Sequence, residues 1–338
     1  MINRLFKHKI LSNCVLILLP LCCIFLTLFI GRYPLNFMQV IGALLPNSGI
    51  AAPTQEISTI VWQLRLPRAI IGAFVGASLA ISGAAFQGVF RNPLVNSGIL
   101  GVSNGASFGA ALAIVIFGGG MYLYGFAFAF AVLAVVLAYF SGRIYGSTPT
   151  VTLILGGVII SSFFGAMTSI LKYMADPYTQ LPAITYWLMG SLASADYGQF
   201  IAIIPMVIGM AMIYLSRWRI NALSMGEKEA VALGVDTRFY KLMIIGGATL
   251  ATAAAVCVSG VIGWVGLVIP HIGRMLIGNN NAKLIPLSMS MGACFLVLID
   301  LLSRVISSSE IPIGILTALV GTPFFVYLLK KTKGGGWK

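Results

Sequence analysis

Apolar runs of about 20 residues recur from one end of this chain to the other, separated only by short polar breaks, and that pattern suits a bilayer rather than water. Only 9% of the residues are charged, where a soluble domain carries about 25%. With 59% of its 338 residues hydrophobic, the chain is read as an all-α, polytopic membrane protein. The spans fill nearly the whole length, so residues 1–338 are taken as a single transmembrane domain with no room for a soluble one. The net charge of +13 is spread over short loops and both ends. It leaves no basic, aromatic-interleaved surface for a nucleic acid and reads instead as a topology signal.

Taken in order, spans are expected at about 10–31, 69–88, 98–117, 121–141, 150–172, 198–215, 239–259, 260–276, 284–303 and 311–329. The N-terminal run resembles a signal peptide, but it is too long for an h-region and no small-residue cleavage site closes it. It is read as a retained first span. Residues 32–60 are expected to be a polar outer segment punctuated by Pro and Gly, and 184–192 a segment too short to cross. Span two carries Gly72, Gly76, Ser78, Ser82 and Gly83, small residues that let helix backbones approach closely. Span five holds Ser161, Gly165 and Thr168 on a small, weakly polar face that suits either close packing or a lining for a solute. The segment 260–276 is interrupted by Gly and Pro, which a membrane tolerates only where neighbouring protein satisfies the backbone.

Placing both termini inside puts 16 of the 21 Lys and Arg on the cytoplasmic side, in keeping with the positive-inside bias. Arg32, Arg65, Arg68, Lys172 and Arg304 then lie outside. One internal stretch is dense in charge without being a chain end: Ile220 to Asp236, with Glu227, Lys228, Glu229 and Asp236. As a short amphipathic helix it presents Leu223, Ala230, Leu233 and Gly234 on one face and the charged residues on the other, with Gly226 as the turn before it and Gly234 as its cap. Such a helix can rest on the lipid surface or be the part another protein pushes on.

Nothing in the sequence supplies catalysis. There is no Gly-rich phosphate loop and no Ser-His-Asp set. Cys14, Cys22, Cys23, Cys257 and Cys294 fall singly or adjacent in apolar runs and are read as buried packing residues. His271 has no second ligand at metal spacing, so it is read as a structural side chain and no metal site is expected.

Five stretches then stand in a telling order: LRLPR at 64–68, FRNPLVNSGILGVSNGA at 90–106, NALSMGEKEAVALGVD at 221–236, GVIGWVGLVIPHIGRML at 260–276, and DLLSR…SSSEIPIGILTALVGTPFFVYLL from 300 to 329. Together they resemble the permease subunits of ABC importers for iron-siderophores, haem and cobalamin, and the likeness covers almost the whole chain. Trp264 stands where members of that family often have Phe. The resemblance implies ten helices per subunit and a homodimer with the solute path on its two-fold axis, in the cytoplasmic membrane of a bacterium or archaeon. Two ATPase subunits would dock inside and one solute-binding protein outside, with ATP and Mg held by the ATPase and no cofactor on this chain.

On the same resemblance, Ser224, Gly226, Glu227, Glu229, Ala230, Leu233 and Gly234 belong to the ATPase-coupling loop between spans six and seven. Arg65, Arg68 and Arg304 would receive acidic residues of the binding protein, and Ser161, Gly165 and Thr168 would line the path. The cargo is expected to be a metal chelate or a metal oxyanion. The rival reading, an ion-coupled secondary carrier, would place ionisable residues mid-membrane. Only Asp300 comes near, and an i,i+4 pair with Arg304 accounts for it. An intramembrane enzyme lacks paired carboxylates or a nucleophile dyad.

Overall fold

The computed structural model describes residues 9–45, 54–143 and 149–331. The basic ends that bear on the orientation of the termini, Arg4, Lys7, Lys333 and Lys338, lie outside the described residues. Among these residues fourteen α-helices follow one another: α1 Lys9–Thr27, α2 Phe37–Leu44, α3 Gln55–Thr59, α4 Leu66–Val89, α5 Val102–Phe117, α6 Met121–Ser141, α7 Thr150–Met174, α8 Gln180–Met189, α9 Ile203–Met225, α10 Glu227–Ala232, α11 Thr237–Ser259, α12 Val265–Ile277, α13 Asn281–Ile306 and α14 Ile313–Lys331. Among the described residues, six helical stretches are long and apolar enough to cross a membrane, and four shorter apolar helices bring the set to the expected ten.

The fold is built around α4, which packs against α1, α9, α11, α12 and α13. Its small residues make this possible. A Cβ at Gly76 would overlap the carbonyl oxygen of Gly292 on α13, and one at Gly83 would overlap that of Gly266 on α12. Backbones therefore touch where lipid offers no hydrophobic drive for association. A second group, α5, α6 and α7, packs to one side, with Gly105 and Gly109 set against the carbonyls of Phe130 and Phe126. Between α7 and α8, Asp176 accepts hydrogen bonds from Thr179 Oγ1 and N at 2.7 Å and from Tyr178 N at 3.0 Å. These bonds, with that to the Thr179 hydroxyl foremost, hold its carboxyl below the ordinary pKa.

Several expected boundaries move. Within the expected outer segment before span two, Phe37–Leu44 and the stretch from Gln55 onward are helical. From Gln55 the chain runs continuously for 35 residues to Val89, through a π-helical turn at Ile60–Arg65. Pro67 explains the widened turn, because it lacks an N–H and its ring crowds the carbonyl four residues back. Span six runs ten residues past its expected end, so that Leu223 belongs to α9 and not to the charged helix. Cys14 and Cys22 are exposed along α1, which lies at the edge of the bundle, while Cys257 and Cys294 are buried as expected.

Candidate functional site

Three non-glycine residues among those described hold a left-handed backbone: Arg91 at φ 51°, Trp264 at 69° and Glu310 at 50°. Such a conformation costs about 1–3 kcal/mol and persists only where the surroundings impose it. Each of the three lines a different cavity: in the orientation that the charge bias predicts, Arg91 lines the inner one and Glu310 the outer one, and Trp264 lines a third, which we call the central cavity.

The outer cleft, about 400 Å³, lies between the chain after α1, the π turn leading into α4, and the end of α13. Arg68, on the first turn of α4, divides its guanidinium. Nε and Nη2 hold Asp300 at 2.8–3.1 Å, and Nη1 donates to Glu310 at 3.0 and 3.3 Å. Arg304 Nε lies 3.3 Å from the same Asp300 carboxylate, the i,i+4 contact legible in the sequence. Arg65 donates to the carbonyls of Leu28, at 2.6 Å, and Tyr33. Arg32 is outermost, 4.0 Å from Glu310 and donating to the carbonyl of Ser307 at 3.3 Å. Four guanidiniums thus face two carboxylates, an excess of two positive charges.

The three arginines expected to receive the binding protein, Arg65, Arg68 and Arg304, are 5–8% exposed and engaged within the chain. The reason is burial. A guanidinium withdrawn from water needs a counter-ion or carbonyls, and Asp300 with the frayed end of α1 supplies them.

The central cavity, about 660 Å³, is walled by Met189 at the end of α8, the non-helical turn 260–264, and one side of α14. Its walls are close-fitted. A Cβ at Gly314 would strike the carbonyl of Met189, and one at Gly321 would stand 2.8 Å from the ring of Trp264. The bulk of Trp264 is accommodated there.

At the inner end α9 stops at Gly226, whose φ of 143° no L side chain adopts readily. A Cβ at this position would also collide with the Glu229 carboxylate. The six-residue α10 follows. Its end is a Schellman turn: Val235 N donates to Ala230 O at 3.0 Å and Gly234 N to Val231 O at 2.9 Å, with Gly234 at φ 75°. Ala230 is fully buried, and Glu227 pairs with the buried Lys241 of α11. The expected apolar face is only partly there. Leu233, the C-cap residue, is 62% exposed, and Met225 and Val231 are exposed too, beside the exposed Lys228 and Glu229. Ser224 lines the neighbouring inner cleft with Arg91 and Arg274, and Arg274 also donates to Gln87 at 2.5 Å.

A sequence profile of the FecCD transport family matches residues 17–331. The chain belongs to that family. It is 41% identical over 335 residues to the molybdate import system permease of Haemophilus influenzae, covering 97% of each chain. It is 41% identical to the cobalamin import system permease of Halobacterium salinarum (83% of this chain, 77% of the relative) and 35% identical to the hemin transport system permease of Yersinia pestis (83% and 86%). A solved metal-chelate type ABC transporter in an inward-facing conformation superposes with a TM-score of 0.83 at 39% identity, over 94% of this chain and 98% of that one. As a member of the FecCD family this chain is a multi-pass permease subunit of an ABC importer that works with an ATPase and a binding protein. ATP hydrolysis resides in the separate ATPase subunit.

Among the path candidates of this FecCD permease, Gly165 has open space where a Cβ would stand, and Ser161 is half-buried, its carbonyl taking Asn104 Nδ2 at 3.2 Å. Thr168 is 6% exposed and its hydroxyl bonds back to Phe164 O of its own helix at 2.8 Å. His271 is buried beside Phe324 and Phe325. No cluster of metal-ligating side chains occurs among the described residues. Sequence reasoning passed over Glu310, read only as part of an outer turn. Its signal was available, since an acidic residue at the outer end of a span, ten residues after Asp300, falls within reach of the arginines that needed partners.

Proposed function

We propose that two copies of this chain form a homodimer in the cytoplasmic membrane of a bacterium or archaeon, both termini inside, each a single permease domain. Two ATPase subunits dock beneath and one solute-binding protein above. ATP and Mg belong to the ATPase, and this chain binds no cofactor. The observation that carries the reading is α10 with its two ends: three apolar side chains, Met225 at the end of α9, Val231 within α10 and Leu233 at its C-cap, stand exposed among acidic and basic ones at the inner end of the bundle. An apolar patch rimmed by charge suits a cleft on a protein partner. Its two flanking helices, α9 and α11, pack directly on α4, so displacement of α10 reaches the centre of the fold.

The cargo is a metal chelate or metal oxyanion, and the path runs between the two copies past Ser161, Gly165, α8 and α14. The shape of the central cavity and its mostly apolar lining leave cargo selection to the binding protein. Arg65, Arg68 and Arg304 serve docking through the net positive outer cleft, which attracts carboxylates of the binding protein. Native mass spectrometry of the detergent-extracted complex should give two permeases, two ATPases and one binding protein, and the binding protein's bound solute should carry a metal. With native cysteines removed, Gly165→Cys should react with an impermeant thiol reagent or crosslink between copies, while Thr168→Cys should resist. A complex with a single permease copy, or equal silence at both cysteines, would refute the dimeric path.

A further inference from the structure

Arg68 has two kinds of carboxylate partner. Asp300 is on the helix wall, its side chain 2% exposed, and is gripped along the inner edge of the guanidinium. Glu310 is on the turn between α13 and α14, its side chain 24% exposed, and takes Nη1 on the side facing the cleft. Its backbone is held left-handed at φ 50° while it does so. A second cation, Arg32, waits 4.0 Å away on the rim and is half exposed. Asp300 therefore has the position of a permanent counter-ion, and Glu310 that of a removable one.

We infer that Glu310 is a resident stand-in for the docking carboxylate, so that arrival of the binding protein is an exchange of carboxylates on Arg68. The incoming side chain takes Nη1, Glu310 moves out to Arg32, and residue 310 leaves its strained backbone. This rests on the docking assigned above to the outer cleft. Exchange has a physical logic. Arg68 lies buried, and at no stage is its charge left without a partner, which would be costly. It also gives docking a mechanical output. The turn is tied at both ends, by Ile311 N to Ser303 O at 3.3 Å and by Ile313 N to Gly190 O at 2.9 Å. Gly190 closes α8, and Met189 and Gly314 meet across the wall of the central cavity. Release of Glu310 thus loosens the outer end of that wall. The partner it fits is a protein surface presenting Asp or Glu side chains, and the exchange distinguishes such a carboxylate from mere proximity of negative charge.

The test uses the permease–ATPase complex in nanodiscs, titrated with its solute-binding protein. Removing a resident competitor relieves the penalty it imposes on binding, so Glu310→Gln should tighten docking by about tenfold. Glu310→Asp, which keeps the charge but shortens the reach, should tighten it too. In an Arg68→Lys background, where Nη1 is absent, Glu310→Gln should give no further gain. Asp196→Asn, a charge change beside the cleft that preserves a helix cap, should leave affinity unaltered. A nitroxide at Ser308→Cys should become mobile on docking, and be mobile beforehand in Glu310→Gln. Equal gains from Asp196→Asn and Glu310→Gln, or the same gain from Glu310→Gln with and without Arg68, would overturn exchange in favour of diffuse repulsion. If Arg68→Lys and Arg304→Lys weaken docking while Glu310→Gln changes neither affinity nor label mobility, exchange fails and docking stands. If Arg68→Lys and Arg304→Lys leave docking intact, the docking assignment itself falls. Thermal unfolding of every variant separates these outcomes from misfolding.

Discussion

At the outer end Arg65, Arg68 and Arg304 are 5–8% exposed and bound to carboxylates or carbonyls of the same chain. At the inner end Glu227, Lys228 and Glu229 face water on a helix of six residues, anchored by one buried alanine and one ion pair to Lys241. Both regions are charged and both flank the same bundle, yet their charges do different things. The outer set is part of the fold, because a guanidinium under the surface is costly without a counter-ion or carbonyls to hold it. The inner set is tied to the fold at one point, the pair of half-exposed Glu227 with buried Lys241, while the exposed charges of Lys228 and Glu229 contribute little to it. A partner that pushes needs a handle that can be gripped without unfolding its owner. A partner that merely settles can use charges already built into the wall.

The largest effect expected from this contrast is on stability, at the outer end. Asp300→Ala leaves Arg68 and Arg304 buried with one counter-ion fewer, and breaking a buried pair in this way costs about 3–5 kcal/mol. The variant should extract poorly and unfold at markedly lower temperature by fluorescence-detected size exclusion. Lys228→Ala, which removes an exposed charge of α10, should shift unfolding by no more than about 0.5 kcal/mol. Equal losses from the two would erase the distinction between built-in and offered charge.

A second expectation concerns function and reverses the order. Gly226→Pro cannot reach the φ of 143° that lets α9 end and α10 begin, because proline fixes φ near −65°. Glu229→Lys changes the sign of a side chain at the same turn. Both should reduce ATPase activity in the reconstituted complex to a level that the binding protein no longer stimulates, with unfolding temperature nearly unchanged. Normal stimulation in both variants would remove α10 from the coupling route.

Much of this was legible in the sequence because a membrane simplifies the question. Apolar runs of about 20 residues leave few alternatives to a helix, and the fourth span, Met121–Ser141, lies where the pattern puts it. The Schellman turn at Gly234 was legible too, since glycine at a helix end reads as a cap. The depth of side chains was not. LRLPR gives no sign that Arg65 meets the carbonyls of Leu28 and Tyr33, over 30 residues away, because that contact depends on how α1 packs. Likewise Thr168 and Gly165 share one small-residue face by composition, and only the fold divides them, burying Thr168 and leaving open space at Gly165. The continuation of α9 through Arg217 and Arg219 was hidden by charge, which ends an apolar run without ending a helix.

The smallest expected effect marks where the two kinds of charge meet. Arg32 is at the outer end but resembles the inner set. Its side chain is 52% exposed, its distance to Glu310 is 4.0 Å, and its other contact is a single carbonyl, that of Ser307. Exposed pairs contribute about 0.2–1 kcal/mol and weaken as salt shortens the screening length to about 8 Å or less. Arg32→Gln should therefore leave unfolding temperature within error of wild type, although it lies in the same cleft as Arg68. Binding-protein affinity should fall by no more than about fivefold at low salt, and the difference should vanish near 1 M salt, where screening reaches about 3 Å. Arg68→Lys, under the same conditions, should keep its deficit, because a buried contact is screened much less. Were Arg32→Gln as damaging as Asp300→Ala, position in the cleft would matter more than depth, and burial would no longer explain why the outer charges belong to the fold.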